Sequence, residues 1–179
     1  MKAISLDMST SAIGYAIWED DTLIRYGKLK GDKKLDWEGR VMSFLPLIYN
    51  MFIHEKIEKV VVEDVPLFTR CGQKSTLVKL GAVRGMLLCV MRMAKIKQEN
   101  FESIRVDQWR KAIGINTGDK HRDVKKVQSL RLANKMFSLD LNIVFTKNGT
   151  YSEEKSDDDV ADAILLYAST REKYRRELI

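Results

Sequence analysis

Apolar positions in the first thirty residues fall into three short runs, 2–8 (KAISLDM), 13–19 (IGYAIWE) and 23–29 (LIRYGKL), broken by Ser9-Thr10-Ser11 and by Asp20-Asp21. Their β-rich make-up predicts strands, and connections this short predict an antiparallel meander. The period then changes. Between 36 and 55, Trp37, Val41, Phe44, Ile48, Met51 and Phe52 recur at helical spacing, with Pro46 expected to kink or break the helix. Residues 58–63 (EKVVVE) are almost continuously apolar. Such a strand is buried on both faces and, entered from a helix, is most easily parallel to its neighbour.

Beyond the loop DVPLFTRCGQK, residues 75–95 form a long helix whose apolar positions, Leu77, Leu80, Val83, Leu87, Leu88, Val90 and Met91, cover more than one face. Gly81 and Gly85, four apart, strip the side chains from one line of it, either for tight packing on the sheet or for close approach of a second helix. A fifth strand is expected at 101–106 (FESIRV), then a helical turn around Trp109, a loop from Gly114 to Gly118 and a helix over 120–136. Ser156 opens the last helix, with Asp159 three residues on in the manner of a capping box. The expectation is one α/β domain over residues 1–179, with a five-stranded mixed sheet flanked by helices.

Composition narrows the class. The 179 residues are 45% hydrophobic and 31% charged with only two prolines, which excludes collagen-like and disordered chains. Cys71 and Cys89 are too few for a disulfide framework and point to a reducing compartment. Asp7 sits where a secretory leader would be apolar, and no apolar run reaches membrane-spanning length, so a soluble, cytoplasmic protein is expected. The net charge is +6. Its source is local: from Arg105 to Lys135 there are nine basic residues (Arg105, Arg110, Lys111, Lys120, Arg122, Lys125, Lys126, Arg131, Lys135) against three acids. That field, with Trp109 inside it, suits a nucleic-acid backbone; the plainer alternative is a solvated helix face.

Four acids stand in places that disfavour charge. Asp7 interrupts an apolar strand, and Glu63 ends the run Val60-Val61-Val62. Asp159 and Asp162 are spaced i, i+3 beside the apolar residues with which the last helix docks. Each has a plainer role open to it: Asp7 as a cap on the Ser9-Thr10-Ser11 turn, Glu63 as an arginine partner, Asp159, like Asp157 and Asp158, as a first-turn acid favoured by the helix dipole. Together they form an all-oxygen donor set, which selects hard ions, Mg²⁺ or Mn²⁺, and phosphodiester hydrolysis with two cations. His54 and His121 have no partners for a nucleophilic triad.

The blocks ISLDMSTSAIGYAI, VVVEDVPLF, TLVKLGAVRG, AIGINTGDK and SDDDVADAI together resemble, in order and spacing, the motifs of RuvC-type Holliday-junction resolvases, most in character the phage-encoded branch. The resemblance covers nearly the whole chain. It implies an RNase H-like fold, its first three strands antiparallel and the others parallel. It also implies a Mg²⁺-dependent endodeoxyribonuclease, with Mn²⁺ substituting and two ions per active site, that nicks opposing strands of a four-way junction as a homodimer. Asp7, Glu63, Asp159 and Asp162 take the places of the family's metal ligands, and Lys120 that of a lysine near the scissile phosphate. Leu77, Leu80, Gly81, Arg84 and Gly85 lie on the helix through which the family dimerises. Phe68, Arg70, Lys74, Arg110, Lys111, Lys120, Arg122, Lys125 and Lys126 are the expected DNA contacts.

The sequence also departs from the pattern. Met8-Ser9 replaces the usual Pro-Gly after the first aspartate, and the position of the family's base-stacking aromatic falls on Pro66, with Phe68 two residues on. Two other readings remain at this point: an RNase H-like nuclease acting on RNA precursors, and a binding module without catalysis.

Overall fold

A computed structural model describes residues 1–65, 74–115 and 122–176, apart from the side chains of Lys74, Arg122, Arg175 and Arg176. The meander forms as expected, with β1 (Lys2–Met8), β2 (Ala12–Glu19) and β3 (Thr22–Lys30) successively antiparallel. Asp20 and Asp21, both at positive φ, make the tight β2–β3 turn. After α1 (Trp37–Glu55), β4 (Lys59–Glu63) joins the other edge of β1 in parallel, and β5 (Phe101–Ile104) joins β4, also in parallel. The sheet order is β3-β2-β1-β4-β5.

Both faces are covered. On one lie α1 and α2 (Lys74–Met93), burying Val41, Phe44, Ile48, Val83 and Leu87 against Ile4, Leu6, Val60 and Val62. On the other lie α3 (Val106–Ala112), α4 (Arg122–Phe137) and α5 (Asp158–Ser169), followed by the short α6 (Glu172–Arg176). There Trp18 stacks on Tyr167 at 4.6 Å between ring centroids, and its indole N–H donates to buried Ser5. Central α5 is buried along almost its whole length, as a helix between a sheet and two other helices must be. No helix among the described residues is long and apolar enough to cross a membrane.

Three local expectations change. The first helix runs on through Pro46, because Pro46 and Met42, the residue whose carbonyl loses its bond, both lie on the exposed side where water serves instead. The fifth strand ends at Ile104, since Arg105 already stands as N-cap of α3. Ser156 does not cap the last helix. Asp157 takes the N-cap position of α5, while the Ser156 hydroxyl accepts from Val144 N–H at 3.0 Å and donates to the Ser152 carbonyl at 2.8 Å, tying the preceding loop together.

Candidate active site

Strand register assembles the site before any helix is considered. Asp7 of β1 lies opposite Gly14 of β2, and Gly14 lies opposite Lys28 of β3. Leu6 pairs with Val62, so Asp7 and Glu63 follow one step later on neighbouring parallel strands. Cross-strand partners share a face, which puts Lys28, Gly14, Asp7 and Glu63 in one row. The glycine is obligatory: a Cβ there would lie 2.0 Å from the Asp159 carbonyl oxygen, so the first turn of α5 rests on the bare backbone of β2. That docking brings Asp159 and Asp162 over the row. All four acids line a single cleft of about 1290 Å³.

The plainer role for Asp7 is ruled out, because the turn after β1 is closed by Ser9. Its hydroxyl accepts from Ala12 N–H at 3.0 Å and Ser11 N–H at 3.2 Å. Burial pushes the Asp7 carboxyl well above the usual carboxylate range, and the nearby Asp162, Glu63 and Asp159 push it further. Burial also raises Glu63, opposed by the Trp109 indole N–H, which donates to Glu63 Oε2 at 3.0 Å. Asp162 is raised by burial too, against the pull of Arg110, whose Nη2 donates to its Oδ2 at 3.0 Å, and of the Ser129 hydroxyl. The other oxygen, Oδ1, is buried and makes no closed hydrogen bond; the Ser129 hydroxyl acts on the carboxylate without reaching bonding geometry and is itself unpartnered. Asp159 pairs with Lys28, Nζ to Oδ2 at 2.5 Å.

The donor set fits a hard divalent cation: four carboxylates that repel one another, and one orphaned buried oxygen. Their arrangement is not yet that of a closed coordination shell. Among the described residues no three His, Cys, Asp or Glu side chains are placed to hold one ion, and two of the four acids are engaged by cations, Asp159 by Lys28 and Asp162 by Arg110.

Several expected DNA contacts change character. Lys126 is 7% exposed and its ammonium binds Asp158 and Glu153, so although it borders the cleft its charge is neutralised within the protein. Burial alone would lower its pKa, but those two carboxylates raise it. Arg110 lies against Trp109, 4.9 Å from the ring, and serves Asp162. Lys125 lines the cleft and Lys111 is exposed, as a phosphate contact requires. Phe68, Arg70, Lys120 and His121 lie outside the described residues, as do the side chains of Lys74 and Arg122.

On α2, Gly81 and Gly85 face open space. Arg84 instead folds back on its own chain, over the Phe101 ring at 4.5 Å and donating to Ser103, which donates to Asp64 beside Glu63. Leu80 lines a small cavity under Asp7 and Glu63, and Leu77 is half-buried.

Sequence reasoning passed over Lys28, Lys30 and Arg40 on the opposite wall of the cleft. It also missed the Trp109–Glu63 bond and the buried Asp158–Lys126–Tyr151 group. The lysines of β3 stand in a strand of ordinary polarity, and only the register of Gly14 with Lys28 singles one out.

No protein-family model and no curated protein matches the sequence. Solved structures do match the fold. RuvC of Thermus thermophilus, solved in complex with a Holliday junction substrate, is 16% identical with a TM-score of 0.65, over 99% of this chain and 96% of the other. A further structure of the same protein gives 0.63 at the same identity and coverage. The yeast mitochondrial Holliday junction resolvase Ydc2 is 14% identical with a TM-score of 0.54, over 98% of this chain and 79% of that one. The five-stranded mixed sheet with its flanking helices is thus the RuvC-type, RNase H-like fold.

Proposed function

We propose that this protein is a divalent-cation-dependent endonuclease that resolves four-way DNA junctions. The observation that carries the reading is the cleft itself: four carboxylates converge where β1, β4 and α5 meet, on a fold shared with junction resolvases, between cationic walls from β3–α1 and α3–α4. Asp7, Glu63, Asp159 and Asp162 are the residues to hold Mg²⁺ or Mn²⁺. Two such ions, when bound, supply an activated water and neutralise the leaving oxygen. The protein's own part is positional. Trp109 fixes the Glu63 carboxylate, Arg110 fixes Asp162, and the rigid backing of β1 and β4 holds Asp7 and Glu63 in register. Lys125 and Lys111 on one side, and Lys30 and Arg40 on the other, meet the phosphate backbone without reading bases.

A junction offers two equivalent strands, which a two-fold dimer matches with one active site each. The open line at Gly81 and Gly85 on α2, flanked by Val78 at 63% exposed, supports that assembly.

The test is a labelled immobile four-way junction beside a matched linear duplex and single-stranded RNA, each with Mg²⁺ or chelator. Paired, Mg²⁺-dependent nicks in opposing junction strands are expected. Cleavage of RNA in place of the junction overturns the substrate assignment, and junction binding without cleavage at any cation concentration overturns the catalytic one.

A further inference from the structure

Lys28 is the one member of the cross-strand row that the catalytic reading leaves without a task. It faces the same side as Asp7, with side-chain-free Gly14 between them on β2. Its ammonium reaches Asp159 Oδ2 at 2.5 Å, and both side chains are largely withdrawn from water, at 13% and 19% exposed. Both Lys28 and Lys126 line the cleft, but Lys126 is held by two carboxylates, Glu153 and Asp158, whereas Lys28 is held, among the described residues, by Asp159 alone.

The two cations at the acids differ as well. Arg110 takes one oxygen of Asp162 and leaves Oδ1 buried without a hydrogen bond, so half of that carboxylate is uncommitted while the pair is made. Asp159 is held at the β3 wall through Oδ2, the atom it would offer a cation on that side. A divalent cation entering the cleft is repelled by an ammonium beside one of its four ligands and attracted by the carboxylate that the ammonium holds.

We propose that Lys28 is an exchangeable counter-ion: it neutralises Asp159 in the metal-free protein and yields that carboxylate to an incoming divalent cation. Lys28 is then a positioning residue acting through Asp159. The ammonium it releases stands on the cleft wall, where an anionic phosphodiester is its natural next partner. This inference rests on the cation-dependent reading above, and the two fail differently.

The experiment needs no DNA. Mn²⁺ is titrated into the metal-free full-length protein by calorimetry or water-proton relaxation, comparing wild type with Lys28→Met, Lys28→Gln and Lys28→Arg, each first checked for folding by circular dichroism. Competition predicts roughly fivefold tighter Mn²⁺ binding in the Met and Gln variants and a near wild-type constant in the Arg variant. In an Asp159→Asn background the same Lys28→Met change should shift Mn²⁺ affinity by less than about twofold, because the competed ligand is gone. The metal-free Lys28→Met protein should also melt lower than wild type while its Mn²⁺-saturated form does not. Unchanged or weaker Mn²⁺ binding in both neutral variants overturns the exchange role. An equal gain in the Asp159→Asn background reduces it to a general charge effect and overturns it too. A wild-type protein that binds no Mn²⁺ defeats the nuclease reading itself.

Discussion

Asp158 and Asp162 lie one turn apart on the same helix, both buried, and the protein treats them in opposite ways. Asp158, 1% exposed, is fully provided for: Lys126 bonds to one oxygen and the Tyr151 hydroxyl donates to the other at 3.0 Å. Burial, and then the neighbouring Asp158, push the Tyr151 hydroxyl up, so it stays a donor at any ordinary pH. Asp162 has Arg110 on one oxygen and no closed hydrogen bond on the other, and it faces Asp7 and Glu63, whose carboxyls are raised as its own is. The first arrangement is a satisfied ion pair that fixes the loop before α5 to α4. The second keeps uncompensated negative charge in a confined place, which costs stability and is of use only to something cationic.

The largest expected effect breaks the satisfied side. Lys126→Met leaves Asp158 buried and unpaired, and should cost about 3–5 kcal/mol in urea unfolding. Junction cleavage by the fraction still folded should then remain close to normal; a selective loss of cleavage with stability intact would transfer Lys126 to the catalytic side.

Next, Asp7→Asn removes a ligand from the unsatisfied side, and cleavage should fall by roughly 10²–10³-fold, as when one preorganised charge-stabilising group is lost. Junction affinity in a gel-shift assay should hold, because the basic walls are untouched. An equal loss of binding would mean that Asp7 shapes the DNA surface.

The same variant should be more stable than wild type without metal, by about 1 kcal/mol at neutral pH. The sign follows from linkage. A carboxyl raised on folding binds its proton more tightly in the folded state, so its unfavourable contribution is absent below the unfolded carboxylate range near pH 4. It grows as pH rises through that range toward the raised folded value. Metal-free wild type should therefore lose stability with rising pH across this window, Asp7→Asn should show a shallower slope, and Mg²⁺ should remove most of the difference. Parallel pH profiles would show that the acids do not strain the fold.

The smallest effect sharpens the boundary between the two groups. Trp109→Phe keeps most of the buried volume but deletes the indole N–H to Glu63, at a cost of about 1 kcal/mol. Glu63 then rises further for want of that donor. Cleavage should drop and its pH optimum move upward, visible in a rate–pH profile; an unshifted profile would make Trp109 a packing residue only.

How much of this was legible in the chain follows from the range of each interaction. The strands, the α1 and α2 helices and their order came from alternation and helical spacing, which are local, and the structure departs from them only at ends such as Ile104 and at Pro46. The four acids were conspicuous because a charge within or at the end of an apolar run is anomalous in one dimension already. Capping at Ser156 differs from the expectation because its hydroxyl had two uses, and Val144, 12 residues earlier, together with the nearby Ser152 carbonyl, takes it for the preceding loop.

Sequence by itself thus determined the element order, the sheet class and the identity of the acids, all of them consequences of near-neighbour pattern and of the cost of burying charge. Tertiary structure alone decided which cations answer which acids. Whether a lysine stays uncommitted at the cleft among the described residues, as Lys125 does, or closes a buried pair, as Lys126 does, depends on a rotation of about 100° around α4, invisible in two adjacent identical letters. Lys28 reaches Asp159 only because an antiparallel register sets it beside Gly14 and the missing Cβ admits α5. Pairing across 131 positions of chain is a property of the folded geometry, and no local pattern encodes it.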